Sequence, residues 1–162
     1  MPAIYTASTL YLVEHPNQLG WPFASALIAF GALAILVSVL ADTERRRVRD
    51  TQGKTTVWGK PPVLIRAPYT DERGERRENL LLASGFWGLS RHFHYMPEVL
   101  AAFFWTLPVL FDHALPWFYV AYIVVLLTDR ALRDDNRCAA KYGPAWETYR
   151  QMVPYKIVPG VF

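Results

Sequence analysis

The longest uninterrupted apolar run in the chain is Pro22 to Ala41, PFASALIAFGALAILVSVLA, twenty residues without a charge. At about 1.5 Å of helical rise per residue, such a run covers the ~30 Å hydrocarbon core of a bilayer and predicts a spanning helix. Two shorter uncharged runs, Val99 to Phe111 and Ala114 to Thr128, flank Asp112-His113. Pro116 is placed to open the second run, and the pair reads as a helical hairpin. At thirteen and fifteen residues each is short for an independent span. Either they extend into the polar residues around Tyr95 and Asp129, or they dip partway and pack against other helices. The opening IYTASTLYLV has the pattern of the last turns of a further membrane helix, which leads to the expectation that the chain is part of a longer protein.

Elsewhere the pattern breaks. Lys60 to Asn79, KPPVLIRAPYTDERGERREN, is the one linker-like stretch. Pro61, Pro62 and Pro68 disfavour helix there, VLIRA and Tyr69-Thr70 are compatible with short strands, and Asp71 to Gly74 reads as a turn. At the other end Gly143 supplies a helix stop and Pro144 a first-turn start, so the chain must bend between two helices.

Charge sharpens this map. All seventeen Lys and Arg fall in two segments, Asp42 to Arg91 and Asp129 to Lys156, and the only acids outside them are Glu14, Glu98 and Asp112. By the positive-inside tendency both segments face the cytoplasm, so the stretch joining them leaves and returns. Composition agrees: 52% apolar and 15% aromatic residues exceed what a soluble core of this size needs. No basic region precedes Pro22 and no small-residue cleavage site follows it, which argues against a cleavable signal peptide. The single cysteine, Cys138, excludes an internal disulfide framework. The prediction is an all-α integral membrane protein: a transmembrane helix at 22–41, a cytoplasmic loop at 42–94, a helical hairpin at 95–128 and a cytoplasmic helical tail at 129–162.

Three constellations carry candidate chemistry. In RHFHYMPEV, residues 91 to 99, His92 and His94 share one face of a strand but lie on nearly opposite sides of a helix. Helical zinc sites want spacings of three or four and a fuller ligand set, so a metal is disfavoured and an ordinary hydrogen-bonded membrane-edge segment is the plain reading. Arg45, Arg46, Arg47 and Arg49 follow the long apolar run. Such a cluster commonly orients a helix and meets anionic headgroups, at ~1 kcal/mol per basic residue. Arg45 and Arg49 are also four apart, hence on one face of a continuing helix and able to grip a phosphate between them. Finally, Arg130, Asp134, Cys138 and Lys141/Tyr142 recur at helical spacing, with Trp146 and Tyr149 beyond the bend. That stripe fits an interfacial belt or the wall of a nucleotide site. SGFWGLS offers only Gly85 and Gly88, which does not make a Rossmann or P-loop fingerprint.

These blocks, namely VWGK, LLASGFWGLSRHFHY, LPWFYVAYIVVLLTDRALRDDNRCAAKYGPAWETY and VPYKIVPGVF, closely resemble the C-terminal third of the sterol reductase family, in order and from about Leu10 to Phe162. Within that family the likeness is strongest to the 7-dehydrocholesterol reductases. The resemblance implies a polytopic membrane enzyme that reduces a sterol double bond with NADPH and keeps most of its cofactor pocket in this part. Carried over by position, Arg45 and Arg49 contact the cofactor phosphates, and Leu82 and Trp87 line the pocket. His94 and Tyr95 touch the cofactor, and Asp134, the run Cys138, Ala139, Ala140, Lys141, Tyr142, and Tyr149 complete it. The implied chemistry pairs hydride delivery with protonation of the other carbon. Asp134, Tyr95 and Tyr149 are the available acid or hydrogen-bonding groups, with no choice made among them. The implied partners are a sterol, the bilayer and either upstream helices or another membrane subunit, with no nucleic acid. The implied location is the endoplasmic reticulum in a eukaryote or the inner membrane in a bacterium.

The family commonly reads R-H-x-N-Y-x-G-D where this chain has Arg91-His92-Phe93-His94-Tyr95-Met96-Pro97-Glu98. Histidine offers a different donor and acceptor reach from asparagine, and proline removes an N–H. Two other readings compete. Isoprenylcysteine-type methyltransferases use a comparable R-H-P-x-Y block around S-adenosylmethionine, although the VWGK and LRDDNRCAAKYG blocks favour the reductase. A non-catalytic membrane scaffold is the other, since the lamin B receptor carries a sterol-reductase-like part.

Overall fold

A computed structural model describes residues 2–162, with side chains described from Thr6 onward. It is mostly helical, 61%, in the order α1 (Pro2–Glu14), α2 (Trp21–Asp50), β1 (Leu64–Thr70), β2 (Arg76–Leu82), α3 (Phe86–Leu89), α4 (Tyr95–Thr106), α5 (Phe118–Tyr142) and α6 (Pro144–Met152). The chain forms two compact units, Met1–Ser38 with Tyr95–Thr128 and Val39–His94 with Asp129–Phe162. The division follows the charge map, because every Lys and Arg belongs to the second unit.

The first unit is α1, the apolar part of α2, α4 and the opening of α5. Gly31 lets α4 approach, with Phe104 Cβ 3.7 Å from where a Cβ would stand, and Phe30 stacks on Phe104 at 5.5 Å. The hairpin turns through two short 3-10 pieces, Leu107–Val109 and Leu115–Trp117, and the Trp117 indole N–H closes it onto the Leu110 carbonyl at 2.7 Å. Pro97 falls in the first turn of α4, where a backbone N–H has no helical partner to lose. The long helices present bare hydrocarbon: Ile28 is 73% exposed and Val125 67%. Trp21–Asp50 and Leu115–Tyr142 are both long and apolar enough to span, and only 11% and 17% of their apolar windows are buried. A core helix of a soluble domain would be mostly covered, so this surface suits lipid.

The second unit starts where α2 runs on past Ala41 to Asp50, as the spacing of Arg45 and Arg49 requires. Beyond its last residue, Asp50, this helix is closed by Gly53, whose N–H reaches back to the Val48 carbonyl at 2.8 Å with φ at +81°. The all-α expectation is corrected beyond this point by an antiparallel ribbon that pairs Leu64 with Leu82 through Thr70 with Arg76. The prolines that forbid helix allow this ribbon, since two strands leave outward positions where Pro68 needs no N–H. Its turn is held by the Asp71 carboxylate, which accepts from the Arg73 and Glu75 amides at 2.9 and 3.0 Å. One core joins the ribbon to α6 through Ala67, Leu81, Tyr142, Trp146, Tyr149 and Val153. A smaller core gathers Val48, Val57, Leu82 and Trp87.

Candidate functional site

The second unit contains a polar cleft, built from four parts of the chain. The C-terminal turns of α2 contribute Arg45 and Arg49, β2 contributes Asn79 to Leu82, α3 and its exit contribute Trp87, Arg91 and His92, and α5 with α6 contribute Asp134, Cys138, Tyr142, Trp146 and Tyr149. The enclosed part measures about 80 Å³. That is room for a few waters or one small polar group such as a phosphate.

Trp87 is fixed from several sides. Its indole N–H donates to the Ala41 carbonyl at 2.8 Å, the Tyr149 hydroxyl donates to the Trp87 carbonyl at 3.3 Å, and the Arg45 guanidinium lies 4.4 Å from the indole ring centre. The preceding turn is equally constrained. Gly85 adopts φ +62°, and a Cβ there would collide with the Glu44 carboxylate and Val57, while that carboxylate accepts from the Phe86 amide at 3.0 Å. Tyr142 is held by the Asn79 side-chain amide, which donates to its hydroxyl at 2.8 Å. Arg91 and Asp135, both nearly fully buried, form an ion pair at 3.3 Å behind the wall.

The electrostatics favour an anion. Arg45 and Arg49 line the cleft with one carboxylate, Asp134, while Arg91, also in the wall, has its charge matched by Asp135. Burial, with Arg91 and Arg45 adding to it, lowers the His92 pKa despite Asp134 and Asp135. Burial also holds the Tyr149 phenol well above its ordinary value, so it remains a donor. His94 is pushed down to about 4, chiefly by burial, with His92, Arg45 and Arg130 lowering it and Asp42 opposing.

Of the residues singled out in the sequence, Arg45, Arg49, Leu82, Trp87, Asp134, Cys138, Tyr142 and Tyr149 come together along the cleft. His94 stands one layer back, its ring 5.1 Å from that of Trp87 and 6.5 Å from that of His92. Ala139 packs into the core beneath Tyr142 and Trp146, Ala140 is exposed, and the Lys141 ammonium sits 3.9 Å above the Tyr69 ring. Tyr95 is buried at the start of α4 in the first unit. Sequence reasoning missed Asn79, Arg91, His92 and Asp135 as wall or support, and placed Trp146 in the stripe without a role toward the cofactor. Arg91 and His92 stood in the quoted motif without a role, and Asp135 was legible only as the carboxylate one helical step from Asp134. Among the described residues, no group of three or more His, Cys, Asp or Glu is arranged to hold a metal ion.

A family model described as the ergosterol biosynthesis ERG4/ERG24 family matches residues 1–162. The chain belongs to this family of sterol reductases. The 7-dehydrocholesterol reductase of Arabidopsis thaliana is 49% identical over 162 residues, covering all of this chain and 38% of that protein. The 7-dehydrocholesterol reductase of Xenopus laevis is 36% identical over the same span, 34% of its own length. The Delta(14)-sterol reductase of Methylotuvimicrobium alcaliphilum is 34% identical, again over the whole chain and 36% of its length. The chain thus spans roughly a third of the curated relatives it matches. As an ERG4/ERG24 member with two lipid-compatible helices, it is a membrane protein.

Proposed function

We propose that this chain binds NADPH with a phosphate group seated in the second-unit cleft and takes part in NADPH-dependent reduction of a sterol ring double bond, of the kind named in its 7-dehydrocholesterol reductase relatives. The observation that carries the reading is the cleft's chemistry: Arg45 and Arg49 from one face of α2 at a phosphate-sized space, edged by Trp87, Tyr142 and Trp146. Arg45 and Arg49, one helical turn apart on α2, hold phosphate oxygens. Trp87 and Tyr142 form the apolar wall beside the phosphate site, and Asp134 accepts hydrogen bonds from hydroxyls. Tyr149, with its proton retained and its hydroxyl on the Trp87 carbonyl, positions that indole. When bound, NADPH supplies the hydride. In this reading residues 42–94 and 129–162 are the cofactor-binding segments on the cytoplasmic face, 22–41 and 95–128 belong to the bilayer, and a eukaryotic membrane of residence is the endoplasmic reticulum. The partners are a sterol, lipid and further membrane helices.

The test is thermal unfolding of the detergent-solubilised protein with and without NADPH. A ligand that binds only the folded state stabilises by RT ln(1 + [L]/Kd), about 2.7 kcal/mol at a hundredfold excess over Kd, so a clear rise in Tm is expected. Arg49→Ala is expected to lose most of the rise. An equal Tm with and without NADPH refutes the proposal.

A further inference from the structure

We infer that Asp135 is a positioning residue of the cleft, its buried carboxylate holding Arg91 and Trp146 in the wall the cofactor meets. The inference rests on the reading of the cleft as an NADPH site. Successive residues of a helix diverge by about 100°, so Asp134 faces the cleft while Asp135 turns inward. There its Oδ1 accepts from the Trp146 indole N–H at 3.2 Å and pairs with Arg91 Nε at 3.3 Å, with Arg150 Nε 4.0 Å from Oδ2. Arg91 and Trp146 both line the cleft, whereas Asp135 does not.

Arg91 in turn ties the wall to the C-terminal tail. Its Nη1 donates to the Val153 and Pro154 carbonyls at 2.6 and 2.9 Å, and the Arg91 and His92 amides donate to the Tyr155 and Lys156 carbonyls at 3.0 and 2.7 Å. With 3% of its side chain exposed, this guanidinium has little access to solvent, and 8% exposure says the same of its carboxylate partner. Removing one charge of such a pair leaves the other buried and uncompensated. Arg91 would then shift or draw in water, and the indole of Trp146 would lose its acceptor or keep a weaker one. Asp135 therefore acts on binding through the two groups it holds and needs no contact with the ligand.

The experiment measures NADPH affinity of the full chain in nanodiscs, at a temperature where each variant is folded by circular dichroism. Asp135→Asn is expected to weaken NADPH about tenfold or more, the scale of a lost hydrogen bond to a charged group. Asp135→Glu, which restores the charge, is expected to recover most of that loss, and Arg133→Ala, which breaks an exposed pair with Asp129 2.8 Å away, is expected to change nothing. Wild-type affinity in Asp135→Asn overturns the inference, as does affinity that tracks Tm across the variants rather than the charge at position 135. If Asp135→Asn does not fold, Trp146→Phe is read in its place. About threefold weaker binding supports the role, on the scale of one hydrogen bond, and unchanged binding overturns it. Wild-type protein that fails to bind NADPH overturns the cofactor reading itself, and this inference with it; normal NADPH binding that is lost in Arg49→Ala but kept in Asp135→Asn overturns only the inference.

Discussion

His94 gives the sharpest prediction about stability. Its pKa, ordinarily near 6.5, is pushed down to about 4 by burial against Trp87 and by the neighbouring cations Arg45 and Arg130. A histidine with a depressed folded pKa is neutral in the folded protein and protonated in the unfolded chain throughout the window between the two values. Stability therefore falls as pH drops from about 6.5 to about 4 and levels off below. At about 1.36 kcal/mol for each pH unit of that window, this one side chain contributes at most roughly 3 kcal/mol. His92, also lowered by burial, adds in the same direction. The assay is chemical or thermal unfolding in a fixed detergent at half-unit steps from about pH 7.5 to about 4, comparing wild type with His94→Asn. Carboxylates that titrate over the same range are common to both proteins and cancel in the difference. The variant loses the ring contact with Trp87 at every pH, which offsets its curve, but its slope between about pH 6.5 and 4.5 is expected to be shallower by about 1.4 kcal/mol per pH unit. Parallel curves would refute the claim that His94 is held neutral by its surroundings.

Two other substitutions test the frame around the cleft. Gly85→Ala places a Cβ at φ +62° against the Glu44 carboxylate and Val57, and a loss of about 2–4 kcal/mol is expected, read as a lower Tm with the α2-to-α3 amides exchanging faster. Trp87→Phe removes the donor to the Ala41 carbonyl and part of the surface under Arg45, and a loss of about 1–2 kcal/mol is expected together with weaker cofactor protection. A fall in Tm with full protection would detach Trp87 from binding.

The membrane helices were legible because periodicity and charge suffice for them: Pro22 to Ala41 carries no charge, α2 runs on through Arg45 and Arg49, and Gly143-Pro144 breaks α5 from α6. The ribbon was half legible. Its prolines and the Asp71 turn are local signals, but its register is set by packing of Ala67 and Leu81 against α6, which lies more than sixty residues away. The cleft divides in the same way. Residues on one helix face, such as Arg45 with Arg49 and Asp134 with Cys138, could be grouped by spacing alone. Grouping them with Leu82 and Trp87 required the family resemblance. Asp135 was hidden for a physical reason, since a second acid beside Asp134 on a charged helix looks like solvated surface until Arg91 and Trp146 are seen to enclose it. Lys141 and Ala140 show the opposite limit, because a run of consecutive residues on a helix points in every direction and not all of it can face one cleft.

The central claim, that the cleft is a nicotinamide-dinucleotide site, is tested most directly by energy transfer from tryptophan to bound NADPH. Trp87 and Trp146 line the cleft, so excitation of the purified full chain should give saturable quenching of tryptophan emission with matching sensitised nicotinamide emission. The expected result is saturation with NADPH, a curve shifted to much higher concentration by replacing both Arg45 and Arg49 with alanine, and no competition by S-adenosylmethionine. Quenching that never saturates, or that S-adenosylmethionine abolishes, would contradict the claim.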